Sequence, residues 1–100
     1  MSDTIDVRCE PAAGGWTCHV TVSGRGTATT HDVTVGAPDL ARLAPGDTTP
    51  DDLVRRSFAF LLAREPKESI LRRFDLTVIG RYFPDWERTI RQSRAGQVAW

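Results

Sequence analysis

Residues 5–9 read Ile5-Asp6-Val7-Arg8-Cys9 and residues 16–22 read Trp16-Thr17-Cys18-His19-Val20-Thr21-Val22, and the first hairpin is predicted from these two stretches. Apolar and polar residues alternate in both, which is typical of strands with one buried and one solvated face. If the chain turns at Ala13-Gly14, the apolar residues of the two strands face one another, in the pairs Cys9 with Cys18, Val7 with Val20 and Ile5 with Val22. A one-residue slip would turn one apolar set to the wrong face, so the pattern predicts this register.

A third strand follows the turn Ser23-Gly24-Arg25-Gly26, because residues 27–35 are rich in Thr and Val. A two-residue loop at Gly24-Arg25 sets Val20 against Thr29 and Cys18 against His31. The sequence therefore predicts a three-stranded antiparallel meander over residues 4–36, with an apolar face that needs a cover.

The cover is predicted to be an amphipathic helix over residues 50–64. Thr49 suits the N-cap, Pro50 the first helical position, and Asp51 and Asp52 the positive end of the helix dipole. An apolar stripe follows at helical spacing, with Ser57 inside it as a small packing residue. Residues 38–43 form a single helical turn before it.

Residues 66–92 are predicted to hold short helices at 66–74, 76–82 and 84–91. Residues 76–83 could instead form a fourth strand, because Thr77, Val78 and Ile79 favour extended chain. We predict an α+β fold in one domain, residues 1–94, with the sheet at 4–36 and the helical part at 38–92. Residues 95–100 form a tail, whose Trp100 is expected to dock onto the domain or onto a partner.

Composition limits the function classes. Thirteen basic and thirteen acidic residues cancel, so there is no global positive field for general attachment to nucleic acid or membrane. The first fifty residues carry more acids than bases and the last fifty more bases than acids. With no apolar run near 20 residues and no apolar region in residues 1–10, we predict a cytoplasmic protein with no membrane partner.

Cys9, Cys18 and His31 meet on one face of the predicted sheet and could supply three of the four ligands of a structural zinc. Close Cys pairs such as C-x₂₋₄-C are missing, as is a fourth ligand, so the alternative is a small buried Cys pair beside a partly covered His. Without an export signal we expect free thiols and no cofactor.

The sequence contains no G-x-S-x-G, phosphate loop or H-E-x-x-H motif. His19, among threonines on the polar face, is interpreted as a surface residue. We therefore predict that the protein is not an enzyme.

The last third of the chain contains a cluster of arginines with Tyr82 and Trp86 among them. Such a cluster could bind nucleic acid or an acidic partner. Asp75, Asp85 and Glu87 interrupt it, and the alternative is a helical surface with internal ion pairs. Its arginines are Arg72, Arg73, Arg81, Arg88, Arg91 and Arg94.

Residues 70–83 have the outline of a helix-turn-helix, with a short apolar helix, a tight turn and a second helix bearing Arg81. Asp75 replaces the usual turn glycine, and Pro84 cuts the second helix short.

The meander followed by Gly46-Asp47-Thr48-Thr49-Pro50-Asp51-Asp52-Leu53 resembles the HicB-like antitoxin domain over residues 5–64. That family has a strand–strand–strand–helix unit and a similar helix start, and the resemblance implies an antitoxin-like role. The chain departs from the family in the inserted residues 40–43 and in lacking a Gly-Cys element before the helix. Residues 60–71 with Tyr82-Phe83-Pro84 also resemble a family of small bacterial proteins without an assigned activity.

Together these features predict a non-catalytic regulatory protein-binding module, antitoxin-like, whose open sheet edges suit strand addition or a homodimer. The alternatives are nucleic-acid binding through the arginine cluster and a metal or redox site at Cys9, Cys18 and His31.

Overall fold

Three long strands form where apolar and polar residues alternate. In the computed structural model, which describes residues 3–44 and 49–92, they are β1 (Thr4–Ala12), β2 (Gly15–Gly24) and β3 (Thr27–Gly36). β1 and β2 are antiparallel, and Cys9, Val7 and Ile5 lie opposite Cys18, Val20 and Val22. This confirms the predicted register of the first hairpin.

The register of β2 and β3 differs from the prediction by two residues. The loop is Arg25-Gly26 rather than Gly24-Arg25, and both loop residues have positive φ, 55° and 77°. This conformation is typical of two-residue hairpin loops. Cys18 therefore lies opposite Val33, and His31 opposite Val20. Because a shift of two residues leaves every side chain on its original face, the alternation could not distinguish the two registers.

The helix predicted from the Thr-Pro-Asp-Asp start is present. After α1 (Ala37–Leu43), α2 spans Pro50–Leu62 and packs against β1 and β2. The hydroxyl of Thr49 accepts a hydrogen bond of 3.1 Å from the backbone N–H of Asp52, as expected of an N-cap. The sequence thus located both the start of the helix and the sheet face that it covers.

The prediction of a helix at residues 66–74 is wrong. A 3₁₀ helix covers only Lys67–Ser69, and β4 (Arg73–Asp75) joins the sheet parallel to β3. The backbone N–H of Asp32 donates to the carbonyl of Arg72 at 2.7 Å, and that of Leu76 donates to Thr34 at 2.9 Å. The sheet is therefore mixed and four-stranded, in the order β1-β2-β3-β4.

Two short helices complete the described chain. α3 spans Val78–Tyr82 and α4 spans Trp86–Gln92, so the predicted helix at residues 76–82 is confirmed over the alternative of a strand there. The helix-turn-helix interpretation of residues 70–83 is wrong, because β4 occupies the place of its first helix. The predicted tail at 95–100 lies outside the described residues.

The core lies between the sheet and the helices. Ser57 lies in it as a packing residue, donating to the carbonyl of Leu53 at 2.9 Å and accepting from the indole N–H of Trp86 at 3.2 Å. Among the described residues, no helix combines the length and the apolarity that a membrane crossing requires. The largest side chains buried in the core are Phe58, Trp86, Leu43, Leu53, Leu76 and Ile90.

Candidate functional site

An apolar groove of about 440 Å³ lies on the β4 side of the molecule. It is bounded by the end of α2, the chain just after the 3₁₀ helix, β4 and α3. Two of its residues are the large apolar side chains most exposed in the described structure, Leu71 at 49% and Tyr82 at 68%. Volumes of about 300–1,000 Å³ are usual for binding pockets. The lining includes Leu61, Ile70, Leu71, Phe74, Val78 and Tyr82.

The floor of the groove is held by aromatic contacts with the core. The rings of Phe58 and Phe74 lie 6.1 Å apart, and Phe83, at the end of α3, meets Phe60 edge-on at 5.8 Å. Aromatic pairs at these separations add to the stabilisation from buried area alone. The groove is therefore supported by packed side chains on β4 and α2.

A hydrogen bond from His31 joins β3 to the groove segment at Leu71. His31 is 1% exposed, and its Nδ1 lies 2.7 Å from the carbonyl oxygen of Leu71, which can only accept a hydrogen bond. Nδ1 is therefore the donor, and Nε2 accepts from the hydroxyl of Thr29 at 2.8 Å. Burial lowers the pKa of His31 and outweighs the hydrogen bond to Leu71, which favours the charged form. The imidazole is thus a neutral clamp between β3 and Leu71.

Asp75 fixes the turn between β4 and α3. Its carboxylate accepts hydrogen bonds from the hydroxyl of Thr34, at 2.7 Å, and from the hydroxyl and the backbone N–H of Thr77. Partial burial acts to raise the pKa of Asp75, but the hydrogen bonds from Thr77 and Thr34 together lower it. The position where a helix-turn-helix would have glycine is therefore occupied by a carboxylate that stabilises the turn before α3.

Two arginines are chain neighbours of the exposed groove residues. Arg72 follows Leu71 and Arg81 precedes Tyr82, and both are exposed. In the described part of the chain neither of them has an ion pair. The groove therefore has cationic residues beside its two exposed apolar side chains.

The acids expected to interrupt the arginine cluster are engaged elsewhere. Asp85 pairs with Arg64 at 3.4 Å, Glu87 pairs with Arg42, and Asp75 accepts from threonines. None of these contacts involves a cluster arginine, so the positive charge of those arginines is left uncompensated by the three acids.

The structure places the cluster arginines on three elements. Arg72 and Arg73 lie at β4, Arg81 on α3, and Arg88 and Arg91 on the exposed side of α4. Arg94 lies outside the described residues. Trp86, expected to be an exposed member of the cluster, is buried at 1%. Arg72 and Arg81 are next in the chain to the groove residues Leu71 and Tyr82, whereas Arg73 pairs with Asp32 of β3 and so lies on the solvated face of the sheet, opposite to Phe74.

Cys9 and Cys18 form a disulfide, so the expectation of free thiols is wrong. Their α-carbons are 3.9 Å apart on directly opposed strand positions, which brings the two sulfurs within bonding distance. The zinc site predicted at Cys9, Cys18 and His31 would need two cysteine thiolates, but both sulfurs are engaged in the disulfide. Among the described residues, no group of three or more His, Cys, Asp or Glu side chains is arranged to hold a metal ion.

Sequence reasoning missed two polar arrangements. On the solvated face of the sheet, His19 Nδ1 lies 2.8 Å from Asp32 and Nε2 lies 3.7 Å from Glu10, so the imidazole links three strands. The correct register of β2 and β3 would have revealed the contact with Asp32. The second is Lys67, 5% exposed, whose ammonium donates to the carbonyl of Gly24 at 3.1 Å. Lys67 is the only lysine in a sequence with twelve arginines, and this difference could have marked it as a residue with a distinct role.

Comparisons of the chain with family models, curated proteins and solved structures gave no significant match.

Proposed function

We propose that the protein is a non-catalytic protein-binding module whose apolar groove takes a short acidic, amphipathic segment of a partner protein. The observation that carries the proposal is the pairing of exposed Leu71 and Tyr82 with neighbouring arginines that have no ion pair in the described structure. Exposed aromatic and arginine side chains are the usual anchors of protein interfaces.

The chemistry of the groove favours such a segment. Its apolar lining suits the apolar face of a peptide, and Arg72 and Arg81, next in the chain to Leu71 and Tyr82, can pair with carboxylates at its margin. Glu65 is the carboxylate in the lining, on the α2 side, away from β4 and α3 where those arginines lie. A peptide therefore finds opposite charges on the two sides, which would fix its direction.

The antitoxin-like role implied by the HicB-like resemblance stays a prediction within this proposal. It would make the partner a toxin protein, and the groove would then recognise an acidic segment of that toxin.

The proposal is tested with two synthetic peptides of about 14 residues, with the same apolar residues at i, i+3, i+4 and i+7. One carries Glu at the remaining positions and the other carries Lys. We expect the protein to bind the Glu peptide and to bind the Lys peptide at least about tenfold more weakly, as fluorescence anisotropy would measure. Equal binding of both peptides, or of neither, contradicts the proposal.

A matched pair of variants locates the binding. Arg72→Glu with Arg81→Glu reverses two charges beside the groove, and Arg88→Glu with Arg91→Glu reverses two on α4. The first double variant is expected to weaken binding of the Glu peptide about tenfold or more, and the second to leave it unchanged.

Nucleic-acid binding is the second candidate, favoured by the exposed Arg88 and Arg91, which lie one turn apart on α4 without an ion pair in the described structure. It predicts binding of an oligonucleotide of about 20 bases with an affinity that falls steeply as salt rises, and loss of that binding in the α4 double variant. Binding that does not depend on salt, or that survives in the α4 variant, excludes it.

A further inference from the structure

β1 is the outermost strand of the sheet and has an unused hydrogen-bonding edge. The order β1-β2-β3-β4 leaves nothing paired with its outer side in the part of the chain that the structure describes. The strand is nine residues long, and an exposed edge of this length is a template for pairing with another strand. The opposite edge of the sheet carries the short strand β4 and the groove.

The residues that offer backbone groups at the free edge can be identified. Opposed antiparallel residues alternate between wide, hydrogen-bonded pairs and narrow pairs without hydrogen bonds. Ala12 and Gly15 close a two-residue loop, which makes them a hydrogen-bonded pair, and Cys9 with Cys18 is a narrow pair at 3.9 Å. The even-numbered residues of β1 therefore bond to β2. Ile5, Val7 and Cys9 direct their N–H and C=O groups to the free edge.

The side chains on the solvated face of β1 carry a charge pattern that selects a partner. Asp6 and Arg8 lie on either side of Val7, both are exposed, and neither has an ion pair among the described residues. We propose that β1 pairs antiparallel with β1 of a second copy of this chain, in the register that centres on Val7. Asp6 of each copy then lies opposite Arg8 of the other, which gives two ion pairs across the interface.

Three other two-fold registers are disfavoured by the same residues. Centring the pair on Asp6 opposes two aspartates. Centring it on Arg8 opposes two arginines and sets Asp6 against Glu10. Centring it on Cys9 sets Val7 against Pro11, which has no backbone N–H to donate. The register centred on Val7 avoids like charges and keeps every hydrogen bond from residue 5 to residue 9.

The helix side of β1 is compatible with this arrangement. Val7 would meet Val7 of the second copy, and Ile5 would meet Cys9, so the apolar faces of the two sheets stay continuous. α2 lies above β1, and two small exposed residues, Ala59 in α2 and Ala63 just after it, line a cleft with Ile5 at this edge. Small residues let two helices approach closely.

The resulting dimer has one continuous eight-stranded sheet. Because the groove lies on the β4 side of each copy, the two grooves are at opposite ends of the dimer. This dimer does not depend on what the groove binds, but it would make that binding bivalent.

The experiment is sedimentation equilibrium of the full chain, with Asp6→Arg, Arg8→Asp and an equimolar mixture of the two variants. Wild-type protein is expected to dimerise. Each variant alone opposes like charges twice and is expected to dimerise at least about tenfold more weakly. In the mixture, a chain with two basic side chains at positions 6 and 8 meets a chain with two acidic ones, so both ion pairs form again. The mixture is therefore expected to regain wild-type dimerisation.

The matched control is Arg88→Asp, an equal change of charge on α4, which is expected to leave dimerisation unchanged. Circular dichroism of each variant establishes that it is folded. The proposal is overturned if wild-type protein is monomeric up to millimolar concentration, if the single variants dimerise like wild type, or if the folded variants fail to associate with each other. Peptide binding by a monomeric Asp6→Arg variant separates this proposal from that of the groove.

Discussion

The imidazole of His31 donates a hydrogen bond of 2.7 Å to the carbonyl of Leu71, forty residues further along the chain. His31 lies in the buried face of β3, whereas Leu71 is half exposed at the groove. This single bond joins the part of the fold that the alternating strands specify to the part that forms the candidate binding surface.

Replacing His31 with alanine should therefore destabilise the whole fold. The change removes a fully buried ring and leaves the Leu71 carbonyl and the Thr29 hydroxyl without their partner, so we expect the free energy of unfolding to fall by about 2–4 kcal/mol. Urea denaturation measures this fall in the free energy of unfolding. His19→Ala is the control, because this half-exposed imidazole makes solvent-exposed contacts with Asp32 and Glu10 and its loss should cost within about 1 kcal/mol. Equal losses in the two variants would contradict the role assigned to His31.

The stability should also depend on pH through His31. Its pKa is lowered in the folded protein from an ordinary value of 6.5, so the unfolded chain takes up the proton first as the pH falls. The free energy of unfolding is then fully present well above pH 6.5 and falls as the pH drops from there to the folded pKa, by at most about 1.4 kcal/mol per pH unit. Urea midpoints at about pH 7.5, 6.5 and 5.5 test this.

His31→Gln supplies the comparison for the pH series, because it keeps an amide that can donate to Leu71 but does not titrate. Its midpoint should change less between about pH 7.5 and 5.5 than that of wild type. Asp75 acts in a lower window, since its lowered pKa costs stability only as the pH falls below its ordinary value of 3.8. The same pH dependence in wild type and His31→Gln would rule out His31 as the titrating group.

Reduction of the disulfide should weaken the first hairpin. The bond between Cys9 and Cys18 closes a short loop, with a sequence separation of 9. A loop of this size is expected to contribute about 2–3 kcal/mol to the free energy of unfolding. Urea denaturation with and without dithiothreitol measures the loss, and a variant with Cys9→Ala and Cys18→Ala should not respond to the reductant. Wild-type stability that is indifferent to dithiothreitol would contradict the expectation.

The sequence predicts the first hairpin in full, because the alternation of Ile5, Val7 and Cys9 agrees with the register that a two-residue turn at Ala13-Gly14 sets. It does not decide between two registers of the second hairpin, where Val20 faces the same side whether it meets Thr29 or His31. It also locates α2, because Thr49 and Pro50 act locally on the helix start.

β4 and the groove could not be predicted in this way. β4 has three residues, and it is held by backbone hydrogen bonds that Asp32 donates and Thr34 accepts in a distant strand, rather than by a local pattern. The groove combines α2, β4 and α3, so it exists only once these have packed. The predicted register places Cys9 opposite Cys18, which is compatible with a disulfide, whereas a reducing compartment would favour free thiols.

Nitrogen-15 chemical-shift mapping of the full chain shows whether the groove binds an acidic, amphipathic segment. On titration with the Glu peptide, we expect the largest backbone shifts at Leu71, Phe74, Val78 and Tyr82, and we expect Leu71→Ser to weaken the binding about tenfold or more. Shifts confined to β1 or α4, or no shifts at millimolar peptide, would contradict it.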